Sequence, residues 1–314
     1  MKTEKEFRDF FDKKLLVALK PLEDKRIEGI KNKKKARNYS YLIGLFLPIT
    51  LLLVNYNASF LVLTFITSLV LIFNESIALD KLSKTYKSLK YDYKHKIIPD
   101  ILGFLYSEFE YIPNQKIAKT VFEKSLLFPS EIRFVEGEDF MRFWIDNADI
   151  MFCESKVYGH PPVSMQFSGI FISATFNKFF ASRTFVFPEQ NTSFWRKIKF
   201  KTLGADYYVK LEDPEFEKEF IILGDNQVES RYILTPSLME RILQYKRKLK
   251  CEFSLSFVQN RLYCAIPNYK DLFEPRLDES FLNYNFILES YEPIFLYSGL
   301  IEDLNLNLRI WTKE

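Results

Sequence analysis

The sequence predicts an α+β membrane protein: N-terminal helices, a two-helix transmembrane hairpin, and then a cytoplasmic antiparallel β-rich domain with helices. Three observations predict this class. Positions 38–74 hold 37 consecutive residues without a charged side chain. Apolar residues recur at helical spacing on both sides of that run. From about residue 130 the pattern changes to short apolar segments of period two, which is typical of strands.

These patterns divide the chain into four regions. We expect a basic amphipathic helical region at 1–38, a transmembrane helical hairpin at 39–79, a helical connector at 80–130 and a β-rich cytoplasmic domain at 131–314. In the first region, apolar side chains recur near helical spacing and predict a packing face. Pro21 interrupts that stripe, and we expect the helix to break there.

The charge-free run is too long for a single membrane helix. As one helix it would extend roughly 55 Å, whereas the hydrocarbon core is about 30 Å thick. A polar break at 55–59 lies in its middle and predicts a turn between spans at about 39–54 and 60–79. The alternative is a buried hairpin of a soluble protein, but the polar stripe that such a helix carries is missing from 43–54.

The flanks of the run predict the orientation of the hairpin. Residues 1–37 hold thirteen Lys and Arg against seven Asp and Glu, and residues 80–96 hold six against two. Since basic residues mark the cytoplasmic side, both termini are expected in the cytoplasm. The same charges could also attract anionic lipids. The residues expected at the membrane interface are Lys33, Lys34, Lys35, Arg37, Tyr39, Tyr41 and Tyr56.

The connector and the β-rich domain contain alternating signals. Helices are predicted at 99–106, 115–127, 237–248 and 275–297, the third opened by Thr235 as N-cap and Pro236 at the first helical position. Strands are predicted at 132–136, 140–145, 150–158, 165–176, 184–188, 207–211, 216–223 and 231–234. Gln259-Asn260 is predicted to turn a hairpin between strands 252–258 and 261–266.

Composition excludes several classes of site and activity. Three Cys, two His and nine Gly make a zinc site, an iron–sulfur site or a glycine-rich nucleotide loop improbable, so no metal and no cofactor is expected. Residues 97–314 carry a net charge of −6, which argues against nucleic-acid binding. The motifs of hydrolases, phosphoryl-transfer enzymes and zinc proteases are absent, so we expect no enzyme and no catalytic residues.

A few charged residues are weak candidates for ligand binding. Glu138 and Asp139 could bind a cation or act as an acid/base pair. A solvated connection between strands, turning at Gly137, is the simpler interpretation. Asn177, Lys178 and Arg183 flank an expected hairpin and could bind an anionic group, although paired surface charges explain them equally well.

Several segments of the chain occur in a characteristic order, namely Gly137–Asp139, Phe167–Phe171, Phe176–Lys178, Arg183–Pro188, Val209–Phe220 and Glu229–Pro236. In this order they resemble a prokaryotic domain-of-unknown-function family of two-span membrane proteins with a β-rich cytoplasmic domain. The resemblance runs from the membrane pair to about Arg276 and implies a bacterial inner-membrane, multi-pass location, with no catalytic residue to transfer. The strand series closed by a helix also resembles pleckstrin-homology-like barrels.

The function expected from these features is binding or scaffolding at a membrane. The hairpin would anchor the chain among membrane lipids, and the cytoplasmic domain would recognise a protein partner or, as a second option, a lipid headgroup. Small and polar residues in the spans would permit homo-oligomers. One alternative is an oligomeric membrane effector or small pore gated by the cytoplasmic domain. Another is a membrane-bound enzyme with an unrecognised site.

Overall fold

The computed structural model describes residues 3–53, 58–128, 130–145, 148–162, 164–189, 208–268, 271–300 and 304. The chain divides into two compact units. The helical unit lies within Lys2–Ile101 and Phe273–Ser290, and the sheet unit lies within Leu102–Leu272 and Tyr291–Glu314. These boundaries differ from the predicted regions, because a segment from the predicted β-rich domain, Phe273–Ser290, packs with the N-terminal helices.

The N-terminal region is helical almost from its first residues. Helix α1 (Glu4–Phe10) begins at Thr3, whose side chain accepts a hydrogen bond from the Glu6 amide while the Glu6 carboxylate accepts one from the Thr3 amide. A π-helical turn (Phe11–Leu15) leads into α2 (Leu16–Leu53). The predicted break at Pro21 is wrong, since α2 runs through Pro21 and Pro48. Buried Leu19 and Leu22 on either side of Pro21 provide packing that compensates for the missing backbone hydrogen bond.

Helix α3 (Ala58–Asp92) runs antiparallel to α2. Lys25 near the start of α2 pairs with Asp92 at the end of α3, and Ser40 donates a hydrogen bond to Glu75 further along both helices. A π-helical turn (Tyr93–Ile97) and α4 (Ile98–Leu105) continue α3. One continuous helical stretch, Val62–Leu105, is long and apolar enough to cross a membrane, by length and composition.

The segment Phe273–Ser290 is fastened to the N-terminal helices by polar contacts. The Glu23 carboxylate accepts hydrogen bonds from Arg26 at 2.7 and 2.9 Å and from the Phe281 amide at 2.9 Å. Lys94, which is almost fully buried, pairs with Glu274 at 2.8 Å. The helical unit is therefore completed by residues that are distant in sequence.

The sheet unit contains six antiparallel strands among the described residues. Strands β1 to β4 pair in chain order, and the very long β4 also pairs with β5 and β6. Among the described residues β6 pairs with β4 alone, and whether the strands close into a pleckstrin-homology-like barrel stays a prediction. The strands are β1 (Phe109–Ile112), β2 (Ile132–Ile145), β3 (Ala148–Gly159), β4 (Met165–Pro188), β5 (Phe220–Gly224) and β6 (Ser254–Pro267).

Short helices lie between these strands: α5 (Lys119–Ser125), α6 (Pro214–Glu219), α7 (Gln227–Ile233) and α8 (Pro236–Leu249), while α9 (Tyr284–Ser298) follows β6. The prediction for α8 is confirmed, and the Thr235 hydroxyl accepts from the Leu238 amide as expected of an N-cap. A buried core of aromatic and aliphatic residues covers one face of the sheet, with the Phe122 and Phe171 rings stacked at 4.1 Å.

Three predicted strand assignments are wrong at least in part. Residues 216–219 of the predicted strand 216–223 belong to α6, and only the rest of it lies in β5. Residues 231–234 belong mostly to α7, because Asn226 caps a helix by accepting from the Val228 and Glu229 amides. The predicted hairpin at Gln259 is a bulge in one continuous strand, since both halves of β6 pair with β4. The extra residues of this irregularity lie on β4, between Thr175 and Thr184, while Gln259 opposite them adopts a left-handed backbone (φ +56°) without reversing the chain.

Candidate functional site

Strands β2, β3 and β4 of the sheet unit border an open polar cleft of about 400 Å³, a volume within the range of small-molecule sites. It lies where the twisted sheet meets the segments before α5 and after β6. The cleft is lined by Asn114, Glu136, Gly137, Glu138, Glu154, Ser155, Lys156, Ser168, Gly169, Asn268 and Asp271.

Two glycines flank Ser155 in the sheet, and the neighbouring backbone leaves no room for a side chain at either position. The register places Gly137 of β2 and Gly169 of β4 opposite Ser155 of β3. A Cβ atom on Gly137 would lie 2.5 Å from the Glu154 carbonyl oxygen, and one on Gly169 would lie 2.1 Å from the Ile266 carbonyl oxygen. Gly169 also has a φ of +156°. No other residue fits at either position without a backbone shift, so the row remains free of bulk.

The Ser155 hydroxyl is unusual among the cleft groups. Ser155 is 4% exposed, and its Oγ makes no hydrogen bond within the described part of the chain. The Cys153 thiol, two residues earlier on the same face of β3, interacts with Ser155, and this contact lowers the pKa of the thiol against the larger raising effect of burial. Because side chains alternate along a strand, Ser155 shares the core face of the sheet with Cys153 and Val157, while the carboxylate of Glu154 lies on the other face.

The walls of the cleft are acidic. Four carboxylate side chains line it, Glu136, Glu138, Glu154 and Asp271, against the single ammonium group of Lys156. Glu154 accepts from the Leu272 amide at 2.9 Å and so holds the segment after β6 in place. Glu136 accepts from the Tyr158 hydroxyl at 3.0 Å; desolvation and this carboxylate raise the pKa of Tyr158 and keep it a donor.

Of the predicted ligand-binding residues, Glu138 lines the cleft and Asp139 is buried beside it. The expected solvated turn does not form, because β2 runs through both residues with a bulge after Glu138. Asp139 is 1% exposed with a φ of +56°, and it accepts from the Tyr111 hydroxyl at 2.5 Å. Asp139 therefore stabilises the bulge that positions Glu138.

The other predicted group lies further along β4. Asn177 and Lys178 are eight or more residues beyond Gly169, and their side chains lie outside what the structure describes. Arg183 forms a two-pronged ion pair with Asp225, with Nε–Oδ2 and Nη2–Oδ1 distances of 2.5 and 2.9 Å. The interpretation of Arg183 as a paired surface charge agrees with this geometry.

The predicted membrane-interface residues lie on α2 of the helical unit. Lys33, Lys34, Lys35 and Arg37 are exposed, Tyr39 is half-buried and Tyr41 is exposed. Tyr56 falls outside the described residues.

The cysteines of the sheet unit have the properties of packing residues. Burial raises the pKa of the Cys153 thiol to about 12, and burial also raises the pKa values of Cys251 and Cys264. All three thiols are therefore protonated near neutral pH and are poor nucleophiles.

Sequence reasoning missed Ser155, Glu154 and Asp271 as cleft residues. Gly137 and Gly169 were the available signal, since each was recognisable as a turn or bulge position. Their pairing on either side of Ser155 depends on strand register, which the sequence alone does not give.

Comparisons with known proteins give one family match. Residues 165–306 match the family model "Protein of unknown function (DUF3137)". This match covers somewhat less than half of the chain, from the start of β4, and agrees with an uncharacterised family. No curated protein matches the chain in sequence.

Among solved structures, the crystal structure of the mycobacterial trehalose monomycolate transport factor A, TtfA, is similar at 8% identity with a TM-score of 0.34. The alignment covers 62% of this chain and 88% of that chain. Similarity at this level supports no inference about fold or function.

Proposed function

We propose that the protein is a membrane-anchored binding protein, in which α2 and α3 insert as a two-span hairpin and the sheet unit binds a partner in the cytoplasm. The observation that carries the anchor is the exposure of the apolar part of α3. In the most apolar 18 residues of the Val62–Leu105 stretch, only 11% of the residues are buried. Leu69 is 50% exposed and Phe73 is 66% exposed. An apolar surface of this length needs a lipid or protein cover.

The polar groups within this apolar region support insertion, because they are satisfied inside the hairpin. Thr67 and Ser68 both donate to the Thr64 carbonyl at 2.9 Å, and Asn74 donates to the Val70 carbonyl at 2.8 Å. In lipid, an unsatisfied polar group costs several kcal/mol. These hydroxyls bond to their own helix rather than lining a shared aqueous face, which favours an anchor over a pore.

An exposed basic cluster directly precedes the apolar part of α2 and supports a cytoplasmic location for both termini. Its side chains, Lys33 to Lys35 and Arg37, can remain in water while Tyr39 and Tyr41 lie at the headgroup level. Fixing the sheet unit to a surface raises the effective concentration of a membrane-confined partner, so a modest affinity would suffice.

Membrane fractionation tests the anchor. The wild-type chain should stay with the membrane after extraction at alkaline pH, and Leu69→Arg/Phe73→Arg should be released. Each central Arg costs about 2.5–3.5 kcal/mol of insertion free energy. Val17→Arg is the matched control, since Val17 is an exposed aliphatic residue of the same unit (67%) outside the apolar stretch. Release of the wild-type chain by alkali would overturn the proposal.

Protease protection in oriented vesicles tests the topology separately. Both termini should be digested in inside-out vesicles and protected in right-side-out vesicles. Digestion of only one terminus from a given side would contradict a two-span hairpin while leaving a membrane anchor intact.

A further inference from the structure

We infer that a basic band on the helical unit binds the headgroups of anionic phospholipids, and this deepens the membrane anchor proposed above, on which it rests. The basic band consists of the five Lys and Arg residues of 31–37 on α2 and the three Lys residues of 81–87 on α3. All eight side chains are exposed.

The antiparallel packing of α2 and α3 brings the two halves of the basic band to the same level of the hairpin. Lys25 donates a hydrogen bond to Ser88 at 2.8 Å, and Ser40 donates one to Glu75. The basic residues of both halves lie between these two contacts. Their positive charges are therefore concentrated in one short section of the hairpin.

Most of these charges have no counter-ion within the described part of the chain. Positions 29–38 and 77–88 hold eight Lys and Arg against one acidic residue, Asp80, which pairs with Lys84 at 2.7 Å. The other seven basic residues make no ion pair or hydrogen bond with described residues. The basic band therefore carries an excess of seven positive charges.

The base of the same unit shows that the fold pairs basic residues elsewhere. Lys25, Arg26 and Lys94 each form an ion pair with a carboxylate. In the basic band, by contrast, like charges are crowded: Lys31 and Lys35 have the i,i+4 spacing at which like charges destabilise a helix. An external anion would offset this repulsion, so the unpaired charges point to a ligand.

The apolar surface next to the basic band indicates that this anion is a lipid headgroup. On α2, Tyr41 is 71% exposed and Leu45 is 59% exposed just beyond the band, and on α3 Leu79 is 48% exposed just before it. When this surface contacts acyl chains, the adjoining basic residues lie at the level of the headgroups, where they attract anionic lipids.

The distribution of charge around α2 favours a bilayer over a nucleic acid or an acidic protein. Lys33, Lys34 and Lys35 are consecutive and all exposed. Because consecutive helical residues point about 100° apart, their ammonium groups spread around the helix. A bilayer surrounds an inserted hairpin and can reach all of them, whereas a single folded partner contacts one side.

The composition of the basic band sets its selectivity. Seven of its eight members are Lys, whose ammonium group is a compact point charge on a flexible stem. Arg37 alone offers the planar fork that binds a phosphate with two hydrogen bonds. The band therefore recognises negative charge rather than the shape of a headgroup.

Electron paramagnetic resonance of the full chain in vesicles tests the inference. The vesicles contain phosphatidylcholine with phosphatidylglycerol as a minor component, and spin-labelled lipids report which headgroup is held beside the protein. The wild-type chain should enrich phosphatidylglycerol over phosphatidylcholine by about fivefold. Lys34→Gln/Lys35→Gln/Lys81→Gln should reduce the enrichment to about twofold or less, because it removes three charges next to the apolar surface. Equal retention of both lipids by the wild-type chain would overturn the inference.

Lys5→Gln/Lys13→Gln/Lys20→Gln is the matched control, because it removes three exposed lysines of the same unit that lie well before the basic band. Both triple variants change the net charge equally, and the control should keep the wild-type enrichment. An equal loss in both would show that lipid retention follows net charge alone and would remove the role of the band.

Salt and headgroup identity test recognition by charge. Raising NaCl from about 0.1 M to about 1 M shortens the Debye length from about 10 Å to about 3 Å, so most of the wild-type enrichment should disappear. Spin-labelled phosphatidylserine should be enriched as strongly as phosphatidylglycerol. An enrichment that survives high salt, or that is confined to one headgroup, would contradict recognition by charge.

Failure of this inference can be distinguished from failure of the anchor. The Gln variants keep the apolar surface intact, so they should remain with the membrane after alkaline extraction. A wild-type chain that resists extraction but shows no lipid preference would overturn only the headgroup assignment. A wild-type chain released by alkali would overturn the anchor on which the assignment rests.

Discussion

The two units use apolar residues for different purposes. In the sheet unit the aromatic core is enclosed by the protein itself, and Phe122, Phe171 and Phe185 are at most 1% exposed. The base of the helical unit, where Phe273–Ser290 packs with the N-terminal helices, encloses Tyr93 completely. The apolar residues in the first part of α3, by contrast, remain exposed. Hydrophobicity alone therefore does not determine burial, because the described residues of the chain leave the outer apolar face of α3 uncovered.

The units also differ in their buried polar groups. The helical unit buries ionised side chains, with Lys94 at 2% exposure paired to Glu274 and Glu23 paired to Arg26. The sheet unit buries mainly small hydroxyls, such as the bonded pair Thr184 and Ser230. The helical unit therefore adds buried charge pairs to aromatic contacts between distant segments, such as Tyr93 with Phe281, whereas the sheet core relies on close packing.

The largest expected effect comes from breaking the core of the sheet unit. Phe171→Ala should lower the free energy of unfolding by about 3–5 kcal/mol, because it removes a stacked ring and leaves a cavity. Trp144 lies on β2 of this unit, so tryptophan fluorescence during denaturation measures the change. Phe179→Ala on the same strand is the control; Phe179 is 68% exposed and should contribute little. Comparable losses in both variants would contradict the enclosed core.

An intermediate effect is expected at the base of the helical unit. Glu23→Gln should cost about 1–3 kcal/mol at neutral pH, because it weakens the bonds to Arg26 and the Phe281 amide. Helical circular dichroism during denaturation measures it. Glu28→Gln, an exposed carboxylate on the same helix, is the control and should leave stability unchanged.

The same site should make the helical unit sensitive to acid. The hydrogen bond from Arg26 holds the pKa of Glu23 below its usual value despite partial burial. A depressed pKa stabilises the fold above the unfolded-state pKa of about 4.3, and this contribution is lost as pH falls towards the folded value. The stability difference between wild type and Glu23→Gln should therefore shrink below about pH 4. A difference independent of pH would show that Glu23 acts through packing alone.

The smallest expected effect is local to α8. Thr235→Ala should destabilise the sheet unit by about 1 kcal/mol, because the Leu238 amide loses its N-cap acceptor at 3.3 Å. Thr235→Ser should restore most of that stability. Equal destabilisation by Ala and Ser would mean that the methyl group, rather than the hydroxyl, carries the contribution.

Local signals were sufficient for elements whose cause lies within a few residues. Thr235-Pro236 predicted the start of α8, and the alternating segments predicted β2, β3 and β4. They failed where the cause was tertiary: Gln259 has the signature of a turn, but pairing with β4 keeps β6 extended through it. Of the ligand-binding candidates, Glu138 lines the cleft, whereas the cleft positions of Glu154 and Lys156 depend on strand pairing that the sequence does not give.

The sequence by itself determined that the chain is α+β, that a long charge-free stretch with basic flanks lies near its start, and that the remainder is mildly acidic. Only the tertiary structure showed that Phe273–Ser290 completes the helical unit and that two glycines flank a buried serine in an acidic cleft. The physical reason is the distance along the chain over which each kind of interaction acts. Hydropathy and capping act over a few residues, whereas strand register and ion pairs between distant segments are decided when the whole chain packs.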